Sequence, residues 1–196
     1  MKLCVFQGTF NPIHNAHLNM AQYVIDNFGF DKILFIPAAK PPHKTYDENF
    51  SIHRLNMVKI AVEGNEHFDV SDIEYKRNSK SYTYLTIQEL YKKYDITGKI
   101  NFIIGTDAFE KIKTWYKTED LKNLVDFIIF MRDDNFDKNK LNYLSDDGYN
   151  YKFAKMDFID ISSTEIRKRV KDGSSISGLV PFKVEEYIKQ NELYKS

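Results

Sequence analysis

The chain has 196 residues, of which 28 are basic and 28 are acidic, so its formal net charge at pH 7 is zero. A general nucleic-acid-binding protein usually carries a basic excess, which this chain lacks. Cys4 is the only cysteine, so no disulfide can form within the chain, and this fits a reducing compartment.

The first residues, MKLCVFQG, turn polar after four apolar positions, which is too soon for the core of a signal peptide. No stretch approaches the roughly 18 apolar residues that a membrane span needs. We therefore expect a cytoplasmic protein with neither a membrane nor a nucleic acid as partner. No Pro-, Gly- or Ser-rich linker divides the sequence, so we expect a single domain over residues 1–196.

Short apolar runs alternate along the chain with longer segments whose apolar residues recur at helical spacing. The predicted strands are 3–6, 32–38, 68–75 with its exit, 100–105, 125–131 and 151–160. The predicted helices are 17–28, 51–64 with Ser51 as its N-cap, 83–94, 163–173 and 181–193. A proline-bearing loop is predicted at 39–50, and a solvated excursion, either helix or loop, at 132–150. This alternation predicts an α/β fold, a doubly wound and mostly parallel sheet with helices on both faces.

Residues 6–17, FQGTFNPIHNAH, form the first motif and lie where the first predicted strand hands over to a helix. Gly8 allows a sharp turn and the close approach of a ligand. His14 and His17 are three positions apart at the start of the helix, where N–H groups and the helix dipole favour an anion. An imidazole pair there can donate to phosphate oxygens. The competing interpretation is a capped helix with two surface histidines.

A second motif, ISSTEIRKR, covers residues 161–169. Ser162 and Glu165 have the spacing of a helix capping box, which any helix can use. Ser163, Thr164 and Arg167 also describe a phosphate cradle built from hydroxyls, helix N–H groups and a guanidinium. The motif alone does not decide between these two interpretations.

Taken together, the two motifs resemble the signatures of the nucleotidyltransferase superfamily, G-x-F-x-P-x-H-x-x-H and I-S-S-T-x-I-R, whose fold is Rossmann-like. Further segments are similar to the bacterial nicotinate mononucleotide adenylyltransferases: PPHK (41–44), SYTYLTIQEL (81–90), IIGTDAF (103–109), TWY (114–116) and the ending LVPFKVEEYIKQNELY. The resemblance covers nearly the whole chain apart from 132–150. It implies transfer of the adenylyl group of ATP to nicotinate mononucleotide, which gives nicotinate adenine dinucleotide and pyrophosphate in NAD biosynthesis.

The resemblance also implies a set of residues that contact ATP. His14, His17 and Arg167 would be catalytic, the histidines donating to the transferring phosphate and the arginine adding a fixed positive charge. The full implied set is Gly8, Thr9, Phe10, His14, His17, Gly105, Asp107, Ile161, Ser163, Thr164 and Arg167. Asp107 would contact a ribose hydroxyl, although it follows a predicted strand and could equally cap a helix. Mg²⁺ would bridge phosphate oxygens without a carboxylate cage in the protein.

Nicotinate mononucleotide would be bound by Lys44, Thr83, Trp115 and Tyr116. Trp115 would stack on the pyridine ring, and Thr83 would hydrogen-bond the pyridine carboxylate with help from the Tyr116 backbone. Such a site should prefer nicotinate, because an amide brings donors of its own. From the residues alone, Trp115 is as well explained by the core and Lys44 by solvation.

Three residues depart from the family pattern: Gln7 replaces a glycine, Asn11 an aspartate and Ala16 a glycine. Gln7 lies where backbone approaches the ligand, so we expect it to alter the local geometry. Two alternatives stay open, another adenylyltransferase such as phosphopantetheine adenylyltransferase and a non-catalytic nucleotide-binding module. The sequence also leaves open whether the chain forms a homo-oligomer.

Overall fold

Six parallel strands form the central sheet of this computed structural model, which describes residues 1–42, 48–131, 135–157 and 159–195. The strands are β1 (Leu3–Gly8), β2 (Lys32–Pro37), β3 (Phe68–Val70), β4 (Ile100–Gly105), β5 (Val125–Phe130) and β6 (Tyr151–Phe153). Their spatial order is β3-β2-β1-β4-β5-β6, and each described pairing is parallel. The predicted α/β fold with a mostly parallel sheet is confirmed.

The strands carry continuous apolar runs because helices cover both faces of the sheet. In β1, Leu3 and Val5 enter one buried cluster, whereas Cys4 and Phe6 enter the other. Parallel neighbours cannot be joined by a tight turn, so helical crossovers connect them.

The helices are α1 (Asn15–Phe28), α2 (Glu48–Val62), α3 (Thr83–Lys93), α4 (Thr106–Phe109), α5 (Thr118–Leu124), α6 (Asn142–Asp146), α7 (Ser163–Lys171) and α8 (Phe182–Gln190). The five predicted helices are present with shifted ends, and α4, α5 and α6 were not predicted. These three are short, so helical periodicity has little room to show in them. None of the helices in the described ranges is long and apolar enough to cross a membrane.

Two sequence predictions about element ends are wrong, the one for Ser51 and the one for the strand over 151–160. Ser51 is not an N-cap, because α2 already begins at Glu48 and Ser51 is buried in its first turn. The segment 68–75, predicted as a short strand with its exit, is a strand to Val70 followed by a short 3-10 helix. The strand predicted over 151–160 ends at Phe153.

The excursion over 132–150, predicted as helix or loop, contains helix in its described part. In its described part, a 3-10 helix at Lys138–Leu141 leads directly into α6. Leu141, Leu144 and Tyr149 are buried and join the core cluster of β4 and β5. A few spaced apolar side chains therefore anchor a segment that is otherwise solvated.

β1 and β4 are parallel neighbours in the middle of the sheet, and the chain adds later strands on opposite sides of this pair. From β1 the chain proceeds to β2 on one side, and from β4 it proceeds to β5 on the other. Open α/β sheets bind ligands at the carboxyl ends of strands where the order reverses. Gly8 ends β1 and Gly105 ends β4, so the first motif and the segment IIGTDAF meet at this point.

Candidate active site

A cleft of about 1800 Å³ opens at the carboxyl ends of β1 and β4. Pockets for one small ligand usually measure about 300–1,000 Å³, so this cleft has room for two nucleotides. It is lined by twelve of the predicted site residues: Gly8, Thr9, Phe10, His17, Thr83, Gly105, Asp107, Trp115, Tyr116, Ser163, Thr164 and Arg167. Residues that lie far apart in sequence thus share one cleft.

Three predicted site residues have other positions. His14 is 3% exposed and does not line the cleft. Ile161 also lies outside the lining and packs against the core cluster of α1 and α7. Lys44 lies outside the described residues.

Gly8 serves a purpose different from the sharp turn predicted for it. Phe10, and not Gly8, has the left-handed backbone conformation, with a φ of 47°. A Cβ atom at Gly8 would lie 3.1 Å from the ring atom Cζ of Phe10, so glycine leaves the space in which that ring packs. Phe10 is 3% exposed, and its ring meets the ring of His17 edge-on with centroids 5.1 Å apart.

His17 lies in the first turn of α1 and is held from several sides. Phe6 contacts its ring in a T-shaped arrangement with centroids 5.7 Å apart. The backbone N–H of His14 donates to Nδ1 of His17 at 3.3 Å. Because Nδ1 accepts, the proton of the neutral imidazole is assigned to Nε2, which makes Nε2 a hydrogen-bond donor at the cleft.

His14 is the N-cap of α1, and its ring stacks on that of His17 with centroids 3.6 Å apart. The alternative of two surface histidines is therefore wrong for His14, which is buried. The stack places one imidazole at the cleft and the other behind it.

The second motif begins α7 and contacts the first motif directly. Ser162 is the N-cap, and its Oγ accepts from the N–H of Glu165 at 3.2 Å, as the capping spacing predicted. Ser163 Oγ donates to the carbonyl oxygen of Pro12 at 2.8 Å. Arg167 Nη1 donates to the carbonyl oxygen of Asn11 at 2.8 Å.

These bonds bring the N-termini of α1 and α7 together at the cleft. Each helix N-terminus carries a partial positive charge of about half a unit. In α1 the first N–H, that of Asn15, already donates to the carbonyl oxygen of Leu179 at 2.9 Å, so α1 contributes chiefly this partial charge. Arg167 adds a full charge between them, and its Nη2 also donates to Thr164 Oγ1 at 3.3 Å. The arrangement favours a polyanion such as a triphosphate.

Arg54 is a buried cation of the site that sequence reasoning missed. It is 4% exposed, and its guanidinium donates to the carbonyl oxygens of Thr9 at 2.8 Å, Ala38 at 2.6 Å and Ala39 at 3.3 Å. Burial lowers the pKa of Arg54 from its ordinary value. The loops after β1 and β2 are thereby tied to α2. The sequence held one signal for Arg54: it lies at helical spacing from Met57 and Val58, so a charged residue shares the apolar face of this helix.

Tyr194, near the end of the chain, was also missed. Its hydroxyl donates to Asn11 Oδ1 at 2.7 Å, and its ring lies 5.2 Å from the ring of Phe50. Burial raises the pKa of Tyr194 well above its ordinary value. The terminal segment thus closes one end of the cleft against the first motif.

At the other end of the cleft lie the aromatic residues predicted to bind the mononucleotide. Trp115 is half-buried and meets Phe102 edge-on at 6.1 Å, so it is neither fully core nor fully exposed. Tyr116 is 44% exposed and stacks on Tyr82 with centroids 4.6 Å apart. Thr83 is the first residue of α3. Because Tyr82 is the N-cap of α3, this stack places the aromatic residues beside the N-terminus of α3 in the lining of the cleft.

Asp107 lies at the edge of the sheet where it was expected. It is the second residue of α4, whose N-cap is Gly105, so the interpretation of Asp107 as the cap is wrong. Its exposed carboxylate lines the cleft. Within the described part of the chain, no three His, Cys, Asp or Glu side chains group closely enough to hold a metal ion.

Comparison with known proteins identifies the family of this chain. The family model described as cytidylyltransferase-like matches residues 5–169. The chain belongs to this family. Both motifs lie inside the matched range, whereas α8 and Tyr194 lie beyond it.

Relatives within the cytidylyltransferase-like family match over the whole chain. A probable nicotinate-nucleotide adenylyltransferase of Caldicellulosiruptor bescii is 40% identical over 198 residues and is covered completely, as is this chain. One of Clostridium botulinum is 38% identical, with 97% of this chain and 98% of that protein covered. Among solved structures, nicotinic acid mononucleotide adenylyltransferase of Plasmodium falciparum complexed with NaAD superposes with a TM-score of 0.77. It is 24% identical, with 98% of this chain and 97% of that chain covered, and supports the fold.

Replacing Arg54 with methionine should destabilise this member of the family. The change leaves three carbonyl oxygens without their buried donor, so we expect the free energy of unfolding to fall by about 3 kcal/mol. Urea denaturation measures this change. Lys59→Met, on the exposed side of the same helix, is the control and should stay within about 0.5 kcal/mol of the wild type. An equally small effect of Arg54→Met would show that the loops do not depend on Arg54.

Proposed function

We infer that this chain is a nicotinate-nucleotide adenylyltransferase, which joins ATP and nicotinate mononucleotide to give nicotinate adenine dinucleotide and pyrophosphate. The observation that carries this inference is the two-nucleotide cleft, with joined helix N-termini at one end and an aromatic platform at the other. Full-length relatives at 40% and 38% identity that bear this name support it. As an enzyme that consumes ATP, it would work in the cytoplasm.

The reaction needs positioning more than proton transfer. A phosphate oxygen of the mononucleotide attacks the α-phosphorus of ATP, the new P–O bond forms, and the bond to the leaving pyrophosphate breaks. The nucleophile is already an anion, so it requires no strong general base. Aligning two bound nucleotides and neutralising their charge can supply most of the acceleration.

The neutralising groups would come from both motifs. His17 would donate from Nε2 to the transferring phosphate, with its ring held by Phe6 and Phe10. Arg167 and the first-turn N–H groups of α7 would hold the leaving phosphates. Ser163 would act through its backbone N–H, because its hydroxyl hydrogen already donates to Pro12.

Mg²⁺ fits this site only as an ion carried by the substrate. The described residues offer no cluster of metal ligands, so phosphate oxygens and water would supply its coordination. When bound, the ion would neutralise part of the triphosphate charge.

The mononucleotide would lie at the opposite end, with its pyridine ring on Trp115. Thr83 begins α3, and first-turn N–H groups can donate to a pyridine carboxylate. The dipole of the same helix favours a negative charge there. These groups would give nicotinate mononucleotide an advantage over its amide.

Pyrophosphate release from ATP and Mg²⁺ tests the function directly. Nicotinate mononucleotide, nicotinamide mononucleotide and phosphopantetheine are supplied separately as acceptors. We expect the highest kcat/KM with nicotinate mononucleotide and no turnover with phosphopantetheine, since Trp115 and Tyr116 offer an aromatic platform to a pyridine. Turnover with phosphopantetheine alone would move the chain to coenzyme A synthesis. ATP binding without turnover of any acceptor would indicate a non-catalytic nucleotide-binding module.

Replacing His17 with alanine should lower kcat by about 10²–10³-fold, because it removes a donor aimed at the transferring phosphate. His67→Ala is the matched control, since His67 lies outside the cleft lining and should leave kcat unchanged. Steady-state kinetics with saturating ATP separates the two. If both variants kept full activity, the assigned role of His17 would be wrong.

Replacing Trp115 with alanine should raise the KM for nicotinate mononucleotide by about tenfold, the typical value of one stacked ring. The KM for ATP should change much less, because the joined helix N-termini lie at the other end of the cleft. Tyr143→Ala, an exposed aromatic residue outside the cleft, serves as the control. A rise in the KM for ATP alone would reverse the proposed orientation of the two substrates.

A further inference from the structure

Gln7, near the carboxyl end of β1, lies beside the residues proposed to bind the mononucleotide. Its side chain lines the cleft together with Thr83, Trp115 and Tyr116. Gln7 Nε2 donates to Glu74 Oε1 at 2.5 Å, and Gln7 Oε1 accepts from Thr83 Oγ1 at 2.8 Å. A glycine at this position could make neither bond.

Glu74 fixes which way the amide of Gln7 is oriented. It is 1% exposed, and it accepts from Thr86 Oγ1 at 2.6 Å and from the backbone N–H of Ala39 at 3.3 Å. Burial raises the pKa of Glu74, whereas hydrogen bonds from Ser81 and Thr86 and the charge of Arg77 oppose that rise. Donors thus converge on both oxygens of this carboxylate. Gln7 must present its NH₂ group to Glu74, and its carbonyl oxygen is therefore directed to Thr83.

The orientation of Gln7 determines what Thr83 offers to a ligand. A hydroxyl group has one hydrogen and two lone pairs. The hydrogen of Thr83 donates to Gln7, so its oxygen can only accept a further hydrogen bond. A pyridine carboxylate is itself only an acceptor, whereas a pyridine carboxamide carries N–H donors.

We propose that Gln7 is a specificity-determining residue that weakens the discrimination against nicotinamide mononucleotide by turning the hydroxyl of Thr83 into an acceptor. This proposal rests on the proposed adenylyltransferase function. Nicotinate is bound through N–H groups without help from the Thr83 hydroxyl. Nicotinamide gains one hydrogen bond from its amide to Thr83 Oγ1. The substrate class of the site thus comprises both pyridine mononucleotides, with the acid favoured less strongly than at a site with glycine in position 7.

The test compares kcat/KM for the two mononucleotides in the wild type, Gln7→Ala, Gln7→Gly, Thr83→Val and the double variant Gln7→Ala/Thr83→Val. Without Gln7, the Thr83 hydroxyl is released to donate to the carboxylate. The ratio of kcat/KM for nicotinate over nicotinamide mononucleotide should rise about tenfold, as expected for a hydrogen bond to a charged group. The KM for ATP is the internal reference and should stay unchanged.

The Thr83→Val variant retains Gln7, so its kcat/KM values for the two mononucleotides test the proposal even if the Gln7 variants fold poorly. In the presence of Gln7 it should lower kcat/KM for nicotinamide mononucleotide by about fivefold and that for nicotinate mononucleotide by less than about twofold. In the Gln7→Ala background, the same change should instead lower kcat/KM for nicotinate mononucleotide by about tenfold. A purely structural effect would move both substrates equally.

An unchanged ratio in Gln7→Ala and Gln7→Gly would overturn the proposal, as would a fall in the ratio, which would show that Gln7 itself donates to the carboxylate. Either result leaves the adenylyltransferase function intact, since the wild type still turns over. Failure of the wild type to turn over either mononucleotide would overturn the proposed function and this proposal together.

Discussion

Two hydrogen bonds between the motifs, from Ser163 to the carbonyl of Pro12 and from Arg167 to the carbonyl of Asn11, hold the site together. They join positions more than 150 residues apart in the sequence and fix two helix N-termini at one point. Neither N-terminus alone amounts to a triphosphate site, because each supplies only a partial charge. The two N-termini meet at the carboxyl ends of β1 and β4, with Arg167 beside them, and their charges together make this end of the cleft positive.

Buried polar residues support this arrangement from behind. Arg54 ties three loop carbonyls to α2, and Glu74 gathers donors from the loop after β2 and from α3. Each charge is costly to bury, and hydrogen bonds on most of its polar atoms offset that cost. These bonds tie the loops after β1 and β2 to α2 and α3 at the rim of the cleft, between the proposed phosphate and pyridine sites. Such pre-organisation is what a reaction driven by alignment requires.

Much of the fold was predictable from local pattern, since buried parallel strands read as apolar runs and the long helices show periodicity. The two motifs indicated where helix starts, hydroxyls and an arginine would lie because these features are local, and the structure brings the two motifs together at one cleft. Arg54 shows in the sequence only as a charge on an apolar helix face, and Tyr194 and Glu74 show no such signal, because their partners are backbone groups or side chains that only the folded chain brings near. Gln7 was noticed as a departure, yet its effect on Thr83 depends on the burial of Glu74. The sharp turn predicted at Gly8 was wrong because the glycine instead leaves space for the ring of Phe10. The N-cap predicted at Ser51 was wrong because α2 begins earlier, at Glu48.

The most direct test of the central claim is a crystal structure of the wild-type chain with a non-hydrolysable ATP analogue. We expect phosphate oxygens within hydrogen-bond distance of His17 Nε2, the guanidinium of Arg167 and the N–H groups that begin α7, with the bonds to Pro12 and Asn11 retained. A triphosphate bound elsewhere, such as on the outer face of α7 beside Lys168 and Lys171, would contradict the claim that the joined helix N-termini form the site.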